Sequence, residues 1–376
     1  MILEIARPEH SWELKQFFGQ FTMGELIELK IDRHDDFFLP YDIQSDQHVT
    51  YTLRDPKDKK LQGVATFVIQ NMWLGGRLQT VAIGRDLRIN NNRGAILAWG
   101  QHFQPVLDEI RKAYDVDHFF SVLNVSDAKV LNTFIRPRNT KRPWPRYHLF
   151  RRFNIVSLHG TLPGARNPLP RLRIKKVDET LEEALLYYIL QKKKDRDLSA
   201  IYDRSSTENW IARWQGLNLK DFYVAVDANQ NIIGCVAPWS AAQVQEYIPY
   251  QYNQVAHNFR QFLKFGKWLG WTRTLTKPVH RLKQEAPLNF RYLTGLLADN
   301  EDIFESLLWR VYNEIHPHEF LVYLQMRNDL HMRAPKGWVS TKLPYGLYCL
   351  LKTDQSLPDF LHPSNDRVCD WEPFYV

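Results

Sequence analysis

Arg93 and Gly94 stand where a strand, a polar turn and a helix meet. Residues 80–89 read as extended, Asn90, Asn91 and Asn92 form the turn, and Ile96, Trp99, Phe103, Val106 and Ile110 recur at helical spacing. The first N–H groups of a helix have no partner within it, and the helix dipole favours negative charge there. The junction therefore reads either as a seat for a phosphate or pyrophosphate or as a capped helix start carrying a surface arginine. No Gly-Lys-Ser/Thr run accompanies it and Gly-x-Gly-x-x-Gly is absent, which argues against a nucleotide triphosphatase loop and a dinucleotide fingerprint.

Other reactive residue types do not gather into a second constellation. Pro317 separates His316 from His318, and His10, His34, His48 and His102 lack metal-ligand spacing, so no metal is expected. A Gly-x-Ser-x-Gly elbow is missing. Cys235, Cys349 and Cys369 are odd in number and form no close pair, which speaks against a disulfide framework and for a reducing compartment.

The elements that must position the junction belong to a chain of 376 residues, long enough for two or three domains. Its 12 Trp, 17 Tyr and 21 Phe exceed what core packing usually needs and point to aromatic-lined clefts. A net charge of +7 and a pI of about 9.1 favour an anionic partner. Basic residues cluster at Arg136, Arg138, Lys141, Arg142, Arg146, Arg151 and Arg152, at Arg171, Arg173, Lys175 and Lys176, and over 192–194. Prolines at 137, 143 and 145 break the first cluster, so it is no recognition helix, and nucleic acid is not an expected partner. No window reaches the roughly 18 apolar residues of a membrane span and the first residues form no leader, so a cytoplasmic protein without membrane contact is expected. Nothing in the sequence sets the oligomeric state.

Gly160, Pro163, Gly164, Pro168 and Pro170 mark a linker over 157–170, with a similar plan on either side. Short strands at 3–6 and 172–174 are each followed by a helix, at 11–18 and 179–192. Two hairpins then correspond, residues 51–55 turning into 61–67 and residues 223–227 turning into 232–237, with Gly63 matching Gly234. Central strands at 80–89 and 290–298 match through Gly84 and Gly295, which leaves an insertion of about 40 residues in the second half. Within it, residues 251–269 read as a helix that either covers a cleft or buttresses the fold. Helices at 95–112 and 303–314, strands at 118–123 and 320–324, and late strands near 147–155 and 345–351 finish the two units. A mixed sheet with helices on both faces follows.

With that order, the chain resembles the GNAT superfamily of acyl-CoA N-acyltransferases in tandem form. The fold class it implies is α/β, with tandem GNAT-like mixed β-sheets flanked by helices. The implied domains are an acyl-CoA-binding unit over 1–156 and a second over 171–376 with a helical insertion at about 240–285. In that family a loop of the pattern Gln/Arg-x-x-Gly-x-Gly/Ala holds the coenzyme A pyrophosphate. Arg93-Gly94-Ala95-Ile96-Leu97-Ala98 fits at its first and last positions, and Ile96 stands where the family has glycine. That side chain either crowds the anion or turns into the core. The corresponding turn in the second half, Ala298-Asp299-Asn300-Glu301-Asp302, has no arginine or glycine, and its carboxylates repel a pyrophosphate.

The resemblance assigns Arg85, Leu87, Arg93, Gly94, Ala95, Ala98 and Asn124 to the acetyl-CoA or other acyl-CoA. Acyl transfer also needs a proton taken from the amine and one returned to the thiolate. Asp86 is the nearest acid on the central strand, either as general base or as a structural ion pair. Arg85 and Asp86 point to opposite faces of a regular strand, so both reach one substrate only across a bulge. The helix after Asn124 lacks the family's tyrosine, which leaves Ser126 as donor through water or, with Asp127, as a helix cap.

The implied activity is transfer of an acetyl or other acyl group from acyl-CoA to an amine or amino-acid-like acceptor. Two alternatives stand beside it. One is a noncatalytic metabolite-binding or regulatory protein on a degenerate tandem fold; the other is transfer of an aminoacyl group from charged tRNA.

Overall fold

Gly75 and Gly76 take φ of 59° and 78°, the left-handed pair that a tight hairpin turn requires. They join two long strands, Leu61–Leu74 and Arg77–Ile89. Along the first strand, Ala65, Phe67 and Ile69 pack with Trp99, Phe103 and Val106 of the following helix. Val64 and Val68 point the other way, onto Leu14, Phe17 and Phe18. This alternation places one helix on each face of the hairpin.

The computed structural model describes residues 1–135, 144–279 and 286–376. Arg136, Arg138, Lys141 and Arg142 of the first basic cluster lie outside the described residues, as do positions 280–285 of the insertion. The first half contains β1 (Ile2–Ile5), α1 (Ser11–Phe18), β2 (Ile27–Asp32), α2 (Leu39–Asp42), β3 (Gln47–Arg54), β4 (Leu61–Leu74), β5 (Arg77–Ile89), α3 (Arg93–Tyr114), β6 (His118–Asn124), α4 (Ala128–Phe134) and β7 (Arg146–Thr161). The second contains β8 (Arg173–Lys176), α5 (Glu182–Lys194), α6 (Arg204–Arg213), β9 (Tyr223–Val226), β10 (Ile232–Trp239), β11 (Glu246–Tyr252), α7 (Gln254–Trp268), β12 (Phe290–Ala298), α8 (Glu301–Glu314), β13 (Phe320–Met326) and β14 (Trp338–Leu351).

Among the described residues, twelve strands form one mixed sheet flanked by helices, in the order β1-β3-β4-β5-β6-β14-β7-β13-β12-β10-β9-β8. The order is the same plan from both ends. The neighbours β5 and β6 are parallel, as are β12 and β13, while the other pairs are antiparallel. The two late strands cross over. β14 pairs with β6, Tyr345 opposite Asn124, and β7 pairs with β13, Leu321 opposite Leu158. Each half's last strand therefore completes the other half's sheet, rather than its own as the order along the chain suggests. Pairing on both edges also carries β7 through Thr161, into the segment read from the sequence as a linker.

The insertion ties the halves together a second time. β11 pairs with β2, with Tyr247 opposite Ile31, in a separate two-stranded sheet. α7 buries Ala256, Leu263 and Gly266 and leaves Phe262, Phe265 and Trp268 exposed. Cys235, Cys349 and Cys369 are free and buried. No helix among the described residues is long and apolar enough to cross a membrane.

Candidate active site

The central strand β5 breaks its register at the place the chemistry would need. Arg85 lies opposite Thr66 and Arg88 opposite Val64, so Asp86 and Leu87 share the single partner Ala65. This is a β-bulge, with Asp86 at φ 53°. On the other edge, pairing with β6 stops at Gly84 opposite Ser121, whereas β14 holds β6 as far as Asn124. The strands part, and a cavity of about 450 Å³ fills the gap. Gly84 to Arg88 and Phe120 to Asn124 form its walls, with Trp99 and Phe103 of α3, Tyr345 of β14, Gln245 from the start of the insertion, and Tyr375.

Asp86 is held by residues from a distant segment. Arg33 Nη2 donates to its Oδ2 at 2.5 Å and the Tyr41 hydroxyl donates to the same oxygen at 2.9 Å. Arg33 Nη1 also donates to Tyr41 Oη at 2.7 Å, and the guanidinium lies 4.5 to 4.8 Å from the rings of Phe18, Phe37 and Tyr41. Burial raises the Asp86 pKa, but Arg33, Arg85 and Arg88 outweigh it and hold the carboxyl well below the ordinary range. Burial pushes the Tyr41 hydroxyl up to about 12. A carboxylate so firmly ionised is a weak proton acceptor at neutral pH.

Of the residues singled out from the sequence, Arg85, Asp86, Leu87 and Asn124 line this cavity. Ala95 and Ala98 are buried in the core beneath α3. Arg93 and Gly94 are exposed at the start of that helix, outside the lining. Asn92 Oδ1 accepts the Ala95 N–H at 2.8 Å and the Asn92 carbonyl accepts that of Ile96 at 3.2 Å. The Arg93 and Gly94 N–H groups are left facing out of the first turn. Ile96, 49% exposed, turns to solvent rather than into a cradle or the core. Ser126 is exposed and outside the lining, its N–H donating to Asn124 Oδ1 at 2.8 Å in the turn before α4.

Arg33, Tyr41 and Gln245 are missing from the sequence reading. Their only signal is an arginine followed closely by Phe37, Phe38 and Tyr41, and nothing local ties that segment to β5.

The second half repeats the bulge and closes it. Cys235 lies opposite Leu297 and Ala237 opposite Thr294. Gly295, at φ 58°, therefore occupies the place of Asp86, and the pairing of Gly295 with Gly84 drawn from the sequence is displaced by two residues. The Glu372 carboxylate accepts the Gly295 N–H at 3.2 Å, and Lys193 donates to Asp370 at 3.0 Å and Glu372 at 3.3 Å. Asp370 to Pro373 sit in this second opening, where about 30 Å³ of cavity is left. Strand register also puts Tyr323, fully buried beneath α8, where Ser121 stands in the first half.

The chain matches no protein-family model and no curated protein sequence. Solved structures similar to it include a protein from Enterococcus faecalis V583 described as of unknown function and a probable N-acyltransferase. That match has 10% identity, 93% of this chain and 72% of that chain covered, and a TM-score of 0.47. Another is Saccharomyces cerevisiae N-myristoyltransferase with bound myristoyl-CoA, at 11% identity, 98% of this chain and 89% of that chain covered, and a TM-score of 0.49.

Proposed function

We propose that the protein is an N-acyltransferase of tandem GNAT type that moves an acyl group, acetyl in the simplest case, from acyl-CoA to an amine. The units are residues 1–156 and 171–376, and the first holds the acyl-CoA. One observation carries this reading: of two equivalent strand openings, the one between β5 and β6 keeps a cavity of about 450 Å³, while tail residues fill the other.

The residues present suit the co-substrate. Trp99, Phe103, Phe120, Val122 and Leu123 offer an apolar wall for an acyl chain. The exposed Arg93 side chain and the N–H groups of Arg93 and Gly94 suit a pyrophosphate. The bulge takes the Asp86 and Leu87 amides out of register with β4, which makes them candidate donors to the oxygen of the acyl carbonyl. Asp86, held through Oδ2 by Arg33 and Tyr41 and firmly ionised, fixes the bulge and supplies negative charge beside the incoming amine; it does not take the proton. Ser126 stands outside the lining and is assigned no step.

A second reading, a binding protein without turnover, is favoured by the firm ionisation of Asp86, which makes it a poor proton acceptor. Calorimetric titration with acetyl-CoA and longer acyl-CoAs separates the possibilities. The intact protein should bind at least one of them and Arg93→Ala should bind it five- to tenfold more weakly, about 1 kcal/mol. Binding to none overturns the acyl-CoA reading. Unchanged binding in Arg93→Ala overturns the placement of the pyrophosphate. Binding with no acylated product from any amine by mass spectrometry favours the second reading.

A further inference from the structure

Arg85 is a buried charge with no ion pair of its own. It is 8% exposed, its Nη2 donates to the Phe374 carbonyl at a long 3.4 Å, and its Nη1 is buried with no partner. It forms no ion pair among the described residues. The adjacent Asp86 commits one carboxylate oxygen to both Arg33 and Tyr41. Three other buried arginines are better served: Arg33 has Asp86, Tyr41 and the Phe37 carbonyl, Arg54 has Glu13 and Glu4, and Arg273 has the carbonyls of Tyr312, His316 and Glu319. Arg260 donates to the Leu275 carbonyl alone, but none of its nitrogens is buried without a partner. A guanidinium in a low-dielectric site without an anion is costly, and its fork of donors matches a carboxylate.

Gln245 adds the complementary feature. It is 3% exposed, its Nε2 donates to Tyr247 Oη at 2.6 Å, and its Oε1 is buried with no partner. Both residues line the same cavity. Both residues thus border a space large enough for a small molecule, one with a spare donor and the other with a spare acceptor. Arg85 sits immediately before the bulge, whereas the pyrophosphate is assigned to the start of α3, so the anion that Arg85 awaits is not the coenzyme's diphosphate.

We infer that the acceptor is an amine that also carries a carboxylate, an amino-acid-type molecule whose carboxylate pairs with Arg85 and whose N–H groups face Gln245 Oε1. This rests on the acyl-transfer reading for the word acceptor, but the carboxylate subsite stands or falls separately. The other source of a carboxylate is the acyl group of a dicarboxylic acyl-CoA such as succinyl-CoA, which the test distinguishes.

The experiment measures calorimetric affinities of the full chain, with and without saturating CoA, for a panel of free L-amino acids and their amides, and in parallel for acetyl-CoA and succinyl-CoA. At least one free acid should bind about tenfold or more tightly than its amide. Arg85→Met should abolish that preference without changing the ratio of succinyl-CoA to acetyl-CoA affinity, and Gln245→Leu should weaken acid and amide alike. If Arg85→Met does not fold, Arg85→Lys, which keeps the charge but loses the fork, should reduce the same preference. The inference is overturned if no free acid binds, if amides bind as well as acids, if the preference survives the Arg85 substitution, or if Arg85 instead governs a preference for succinyl-CoA over acetyl-CoA. Amino-acid binding without any acyl-CoA binding would sink the acyl-transfer reading and leave the subsite in place.

Discussion

The Arg33 guanidinium lies 2.5 Å from the Asp86 carboxylate although 53 residues separate them in the chain. The pair joins the segment before α2 to the bulge of β5, and its side chains are 2% and 11% exposed. Removing one member of a buried pair leaves the other charge uncompensated. Asp86→Asn should therefore destabilise the fold by about 3–5 kcal/mol, read from urea unfolding. Tyr41→Phe, which removes one donor to the same oxygen, should cost only about 1 kcal/mol. A general base would give the opposite pattern, with activity lost and stability kept.

The same pair sets a limit in acid. Asp86 is held below its unfolded pKa, so its contribution is complete above the usual carboxylate pKa near 4 and is lost as pH falls below that value toward the folded one. The unfolding free energy of the wild type should drop between pH 4 and pH 2.5 by more than that of Asp86→Asn. Equal drops would show that the ion pair contributes nothing.

Gly295 and Asp86 occupy equivalent bulge positions with φ of 58° and 53°. Glycine meets that geometry without strain, whereas an added Cβ at Gly295 would lie 2.9 Å from Phe222 and 3.0 Å from Trp210. Gly295→Ala should destabilise by about 1–3 kcal/mol in urea unfolding. It should leave acyl-CoA binding unchanged, because the second opening is already filled by Glu372 and its neighbours.

Local signals in the sequence carried the elements around the junction. The Asn90 to Asn92 turn marks the start of α3 because Asn92 caps its own helix, and apolar spacing marks its buried face. The bulge could be stated only as a condition, since what stabilises an aspartate at positive φ is Arg33 from another segment. The exchange of β7 and β14 was hidden because either strand satisfies the same alternating pattern beside β6 or β13, and only long-range register decides between them. Gly84 and Gly295 look equivalent along the sequence but differ in the fold for a related reason: Gly295 is a glycine for its φ, Gly84 is not.

His159 lies at the join between the halves, on β7, against Phe259 and Phe320, with Nε2 3.1 Å from Ser157 Oγ and Nδ1 buried without a partner. Burial lowers its pKa to about 3. Below the unfolded value near 6.5 the unfolded chain binds a proton that the folded chain refuses, so stability falls with decreasing pH down to about 3. Between pH 7 and pH 5 this group should cost about 2 kcal/mol. His159→Gln should lose correspondingly less across that interval, whatever its stability at pH 7. Parallel losses in the two proteins would mean that His159 is protonated in the fold.

The open and the closed half differ at one exchangeable side chain. Ser121 lines the open cavity at the point where β5 and β6 part, and Tyr323 fills the equivalent place in the closed half, packed at 5.4 Å against Phe304. Ser121→Tyr puts the side chain of the closed half into the open one. Because the new ring enters a void rather than a packed core, the fold should lose no more than about 1 kcal/mol, while acyl-CoA affinity should fall at least tenfold. Unchanged acyl-CoA affinity in a stably folded Ser121→Tyr protein would place the ligand elsewhere, whatever Arg93 does.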